Sequence, residues 1–485
     1  MMHFDGRRDR AADLRQRTML AALAALAVAY FVSGEAEGAR SVTPVALQGQ
    51  IAPGTGGQTF ATDFDEPMVN TSGDVVFQAS YGVAGSADGV FLFSGGALSA
   101  VAVAGLVVPG VGTLSGNFYD GPSFNNSSTV TLVASGITAS SNIPPTTDAV
   151  LQKTLAGSLT AIAKNGDAVP GVAGGVFTDF DDIAQNANND VSFIGHYTDD
   201  GGTTFKWGVF FKPFGGALQT IVKDGDALPN TGGGTFCSGS TPDGPWLNDS
   251  GVVSFIADCI SGGTVSAGSM FAKRPAQALE SVVLTGDPAP PSVGGTLDSS
   301  SSAGRPGLTN GNQMGMNVET SAAGPCGAQQ CAMLLVTLGS PASAASVCAL
   351  GGSVAPGTVG TFGGFGGPAI NQSGTMVTQA DVIGDPNVTN GIFTCHNGTS
   401  TAISLEGDPK PGGAIGELFT NDQSDPSISD DGRVAFVDFG TTAGAFVSGA
   451  NQIAPLTAIP TLNNAVLLVM LISLLGLGLI ALRYR

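Results

Sequence analysis

The 485-residue chain holds 72 Gly and 27 Pro, yet 42 % of its residues are hydrophobic and only 12 % charged, which supplies a large core and excludes charge-driven disorder. Eighteen Lys and Arg stand against 38 Asp and Glu, a net charge of −20 that repels phosphate backbones and excludes nucleic acid as a partner.

In chain order, the first element is an address. Arg7, Arg8, Arg10, Arg15 and Arg17 precede the apolar run 19–32, and small residues at Ser33, Gly34 and Ala36 fit a cut after Ala36. This is the pattern of a secretory signal peptide over 1–36; left uncut, it would act as a signal anchor.

Between residues 37 and 457 the sequence repeats. Gly-x-x-x-Pro recurs at Gly49, Gly105, Gly166, Gly225, Gly286, Gly352 and Gly407. A second landmark follows each at Asn70, Asn125, Asn186, Asn248, Asn310, Asn371 and Ser429, and Asn-x-x-Gly is complete at Gly73, Gly251 and Gly374. In such a turn Asn bonds the backbone two residues on and Gly takes positive φ. Seven residues beyond the landmark stand Phe77, Leu132, Phe193, Phe255 and Phe436, with Asn317 and Thr378 as exceptions. Runs such as Gly89-Val90-Phe91 followed by a Gly pair read as short antiparallel strands, about four per unit of roughly 60 residues.

A four-stranded unit cannot bury both faces alone, so the units must stack. The expected fold is all-β, a seven-bladed β-propeller, with an open β-solenoid as the alternative. Ser41–Leu47 resembles a closing last strand, and Gln452–Thr457 is a second candidate for the same place.

Cys237, Cys259, Cys326, Cys331, Cys348 and Cys395 all lie in the exported part, where disulfides are favoured over a metal site. Cys237 with Cys259 and Cys326 with Cys331 are the local choices among 15 connectivities. Asp63 and Asp65, and likewise Asp179 and Asp181, would share a strand face; a solvated strand edge is the expected reading, over Ca²⁺ binding or acid–base work on a glycan. His196 and His396 have no Ser or Cys in a catalytic context, so no catalytic residue, cofactor or metal is expected. An enzyme reading requires the channel mouth to gather two or more ionisable side chains with a Trp or Tyr.

The chain ends, over 458–485, in Ile459-Pro460-Thr461-Leu462, an uncharged stretch 465–482 and Arg483-Tyr484-Arg485. Eighteen residues suit a transmembrane helix of ~27 Å, and the two Arg place its end in the cytoplasm.

This tail resembles the IPTL-CTERM sorting tails of Gram-negative bacteria. The resemblance implies recognition by an exosortase-type transpeptidase in species that export polysaccharide. The repeats, closest at Ser429-Asp430-Asp431-Gly432-Arg433-Val434-Ala435-Phe436, resemble bacterial tandem-repeat proteins named for an NxxGxxAF motif, which implies a surface-anchored protein. The expected function is a non-enzymatic cell-surface or matrix protein whose propeller binds extracellular polysaccharide or another surface protein, with a polysaccharide-acting enzyme as the alternative.

Overall fold

The computed structural model describes residues 41–139, 146–154, 156–300 and 304–449. The leader 1–36, the strand candidate Gln452–Thr457 and the tail 458–485 with Ile459, Pro460, Thr461 and Leu462 lie outside the described residues. Among the described residues the only helix is the 3₁₀ turn Ala342–Ala344, and no helix is long and apolar enough to cross a membrane.

The fold is an all-β propeller. Among the described residues there are seven sheets of four or more antiparallel strands and one two-stranded ribbon. The first sheet runs in sequence order through Phe60–Val69, Val75–Tyr81, Ala87–Ser94 and Ala97–Ala102, and the third likewise from Val176–Gln185 to Gln219–Lys223. The seventh is composite: Gln423–Ile428, Val434–Asp438 and Gly444–Ser448 are completed by the N-terminal strand Val42–Leu47, antiparallel to Gly444–Ser448. The closing strand therefore comes from the start of the chain.

Seven apolar clusters fill the joints between consecutive sheets, including one that joins Val45, Ala435 and Val437 of the seventh sheet to Phe60, Phe77 and Phe91 of the first. That joint closes the circuit and excludes an open solenoid. Phenylalanine supplies much of the packing; Phe60 meets Phe91 edge to face at 4.8 Å, and Phe177 meets Phe210 at 4.9 Å. Each such ring contributes roughly 1.5–3 kcal/mol by burial. The Gly-x-Phe pattern has a steric origin: residues i and i+2 share a strand face, and a Cβ on Gly89 or Gly208 would press into the ring of Phe91 or Phe210.

The first landmark is a sharp connection between sheets. All seven glycines have φ between +83° and +95°, and each N–H donates to a carbonyl 9 to 12 residues on, in the segment that leads into the next sheet, at 2.7–3.0 Å. The following Asp closes the turn in four copies: Asp167, Asp226, Asp287 and Asp408 accept the N–H of Lys164, Lys223, Leu284 and Leu405.

The second landmark joins neighbouring sheets. Asn186 Oδ1 accepts the N–H groups of Asn188 and Asp190, while its Nδ2 donates to Asn248 O at 2.9 Å. Asn125 donates in the same way to Asn186 O, Asn248 to Thr309 O and Asn371 to Ser429 O. Arg433 Nη1 completes the circle on Thr71 O at 2.7 Å. The fifth copy corrects the sequence reading: Thr309, not Asn310, is the turn residue, with its hydroxyl accepting Gln313 N–H. Counting seven from Thr309 reaches fully buried Met316, so Asn317 is no exception to the apolar rule.

The cysteines pair as Cys237–Cys259 in the fourth sheet region, Cys326–Cys331 across the hairpin of the fifth, and Cys348–Cys395 between the fifth and sixth.

Candidate functional site

Four residues before each turn residue stand Glu66, Gly121, Asp182, Gly244, Arg305, Gly367 and Asp425; one place later stand Pro67, Pro122, Ile183, Pro245, Pro306, Pro368 and Pro426. Proline has no N–H for the ladder and is confined to edges and bulges. The innermost strands slip register there, between Asp65 and Met68, Tyr119 and Ser123, Asp243 and Trp246, and Ser424 and Ser427, and the third does so between Phe180 and Ile183 without a proline. Glu66, Asp182, Gly244, Arg305 and Gly367 of this set line an axial cavity of about 340 Å³ whose walls also include Asp243, Trp246 and Gln379.

Arg305, from the fifth repeat, crosses this cavity. Its Nη1 lies 3.2 Å from Glu66 Oε2 of the first sheet, and its Nη2 contacts Asp182 Oδ1 of the third. The intervening glycines make room: a Cβ on Gly121 would collide with Glu66, and one on Gly307 with the Trp246 indole. Trp246 is 2 % exposed and donates Nε1 to Gly304 O at 3.1 Å, so it forms a wall and not a stacking platform. Burial pushes the Asp243 carboxyl up to about 6; the Gly244 N–H opposes this and the charge of Asp258 adds to it. A smaller cleft of about 180 Å³, lined by Asn317, Glu319 and Asp381, adjoins at Gly366 and Gln379.

The acidic runs thus act through their fourth members. Asp63 is exposed, whereas Glu66 and Asp182 converge on Arg305. Among the described residues no group of three His, Cys, Asp or Glu could hold a metal ion. Asp179 lies opposite His196 in the third sheet, and burial pushes its carboxyl up to about 6 against the Phe180 N–H, with Asp148 and Asp181 adding. His196 stacks on Trp207 at 4.0 Å; burial lowers its imidazole, against the charge of Asp181. His396 lies in the sixth sheet, with Nδ1 3.1 Å from Thr375 Oγ1.

The sequence reading missed Arg305 and Asp243. The signal that finds Arg305 is the proline three places before the turn residue, present in six of seven copies once the fifth is aligned on Thr309; Asp243 stands two places before its proline.

Among solved structures, the chain is similar to the Pyrococcus horikoshii acylaminoacyl peptidase at 7 % identity and TM-score 0.43, covering 80 % of this chain and 51 % of the peptidase. It therefore spans about half of that protein's length. It is also similar to the Dos1 propeller, at 8 % identity and TM-score 0.37 over 81 % of this chain and 80 % of that one. The β-propeller domain of the Trilobed protease from Pyrococcus furiosus matches at 7 % identity and TM-score 0.33, over 73 % and 98 % of the two chains. No curated protein matches the sequence. The family of unknown function DUF7453 matches residues 32–237 and 239–453, and the chain belongs to that family.

Proposed function

We propose that this is an exported, surface-held binding or structural protein: a leader over 1–36, seven blades in one ring over 37–457, and a sorting tail over 458–485. In this reading an exosortase-type transpeptidase recognises Ile459-Pro460-Thr461-Leu462 at the membrane, and the propeller is displayed on the surface or in the matrix of a Gram-negative bacterium. Its ligand class is extracellular polysaccharide or another surface protein.

The observation that carries the non-catalytic reading is the guanidinium of Arg305 between Glu66 and Asp182. Arg305 ties these two carboxylates together across the axis and makes the channel a brace. Three paired disulfides suit an oxidising compartment. The test is a glycan-array screen of the mature protein, followed by incubation with each bound glycan. Binding without release of new reducing ends is expected; turnover overturns the reading.

A polysaccharide-acting enzyme is the second reading, favoured by four ionisable side chains, Glu66, Asp182, Asp243 and Arg305, beside Trp246. A carboxyl raised to about 6, as in Asp243, suits a general acid. Turnover abolished by Asp243→Asn would support it; no turnover on any bound glycan would sink it.

A further inference from the structure

The seventh repeat departs from the other six at three positions that meet in space. Three residues after the first-landmark glycine stand Ala52, Val108, Val169, Leu228, Ala289 and Ala355, all buried, but Lys410 in the seventh. Nine residues after the turn residue stand Ala79, Ala134, Gly195, Ala257, Val318 and Ala380, but Asp438 in the seventh. Two residues before the residue whose carbonyl accepts the first-landmark glycine N–H, five copies carry glycine and one carries Gln58, whereas the seventh has Glu417 before Phe419.

Both side chains of the central pair, Lys410 and Asp438, are fully buried and Lys410 Nζ contacts Asp438 Oδ2. The ammonium lies 3.4 Å from Glu417 Oε1 and 5.6 Å from the centre of the Phe446 ring. Asp438 Oδ1 accepts two hydrogen bonds, from Thr420 N–H at 3.0 Å and Thr420 Oγ1 at 2.8 Å. Glu417 is held by Thr442 N–H and Oγ1 and by Ala414 N–H. A buried ion pair is weak evidence for stability, since an apolar pair of similar volume often does as well. Six repeats use the apolar solution, so the charged one calls for a chemical reason.

We propose that Lys410 and Asp438 join in an intramolecular isopeptide bond, with Glu417 as the proton relay. In the proposed reaction one proton first passes from Nζ to Oδ2 across their contact. The neutral amine then attacks Asp438 Cγ, and the developing charge on Oδ1 is met by the two Thr420 donors. Glu417 accepts one proton from the nitrogen and delivers it to Oδ2. The Cγ–Oδ2 bond breaks and water leaves. The three ammonium protons end as one amide N–H and one water, so the step needs no oxidant or co-reactant. Held side by side, the two groups meet the proximity requirement for an otherwise slow condensation. Glu417 suits the relay by position, with Oε1 3.4 Å from the Lys410 nitrogen; burial raises its carboxyl, but hydrogen bonds from Thr442 and Ala414 and the charge of Lys410 hold it at about 2, so it stands ionised there. The product would tie the loop entering the seventh sheet to the second strand of the sheet that the N-terminal strand closes.

The test uses the full purified chain, reduced, denatured and cut with trypsin. Cleavage after Arg433 separates the segment holding Lys410 from the one holding Asp438 unless the amide joins them. The expected product is a branched peptide lighter by one water than the two segments together. Two separate segments of full mass from the folded protein overturn the proposal. Glu417→Gln is expected to retain the native circular dichroism and release the two segments; if it still yields the branched peptide, the relay role is wrong. The double variant Lys410→Met with Asp438→Leu, which restores the apolar chemistry of the other repeats, serves as the folded, unlinked control.

Discussion

Asn125 donates from Nδ2 to Asn189 Oδ1 at 2.9 Å, a bond between the turn of one sheet and the fourth turn residue of the next. Asn189 has φ +65°, where the complete motif has glycine. The same trade occurs twice more: Ser128 (φ +54°) accepts from Asn70 and Asn312 (φ +57°) from Asn248. A non-glycine residue there carries a backbone cost of order 1 kcal/mol, offset by a bond to the preceding sheet. Asn189→Ala keeps the cost and loses the bond, so it should destabilise by about 0.5–1.5 kcal/mol. Asn189→Gly loses the bond but relieves the cost, so it should lie within about 0.5 kcal/mol of the parent. Urea denaturation of both variants checks this; equal losses would refute the trade.

Thr309 offers the complementary experiment. Its hydroxyl replaces the Asn oxygen as acceptor but supplies no Nδ2 for the sixth sheet, and the link there runs instead from Asn310 N–H to Gln372 Oε1 at 2.7 Å. Thr309→Asn should add a donor toward Asn371 O and stabilise by about 0.5–1.5 kcal/mol. A loss in thermal melting temperature would show that the buried site has no room for the amide.

The period, the strands and the turn chemistry were legible because each landmark answers to local backbone physics. Positive φ selects glycine at Gly166, and an Asn oxygen satisfies the turn at Asn186. The fifth turn was misplaced by one residue because Thr309 performs the acceptor role and Asn310 follows it by chance of neighbourhood. The axial site was not legible, because its partners are far apart in sequence. Arg305 meets Glu66 and Asp182 through the curvature of the ring, which no local pattern encodes. Asp63 and Asp65 drew attention by period-two spacing, but the register slip before Met68 rotates Glu66 to the axis.

Arg305→Met removes the cation that lies between Glu66 and Asp182 and leaves these two as like charges facing one cavity. Breaking a partly buried pair from one side costs about 1–3 kcal/mol, between the exposed and the fully buried cases. Adding Glu66→Gln and Asp182→Asn to the same chain should recover part of that loss, because the two carboxylates that faced Arg305 are then neutral. Denaturant unfolding of the single and triple variants decides it; a triple variant no more stable than the single would mean that Arg305 acts by packing alone.

Asp243 and Asp179 give stability an unusual pH slope. Both carboxyls are pushed up to about 6, from 3.8, chiefly by burial, so the folded state holds protons that the unfolded state has released. Stability therefore falls as pH rises from about 4 to about 6, and above that window each group withholds roughly 1–3 kcal/mol. Glu417 has the opposite sign in a lower window: its carboxyl is held down at about 2, so its contribution is present above 4.5 and lost as pH falls toward 2. Asp243→Asn keeps an oxygen for the Gly244 N–H while removing the titration. It should be more stable than the parent at pH 7, equal to it near pH 4, and flatter between. Asp179→Asn should behave alike through the Phe180 N–H. Urea midpoints for the parent and both variants across pH 4 to 7 measure the slopes. A parent that gains stability over that interval, or an Asp243→Asn variant that loses stability at pH 7, would mean that these carboxyls are ionised in the fold at no cost.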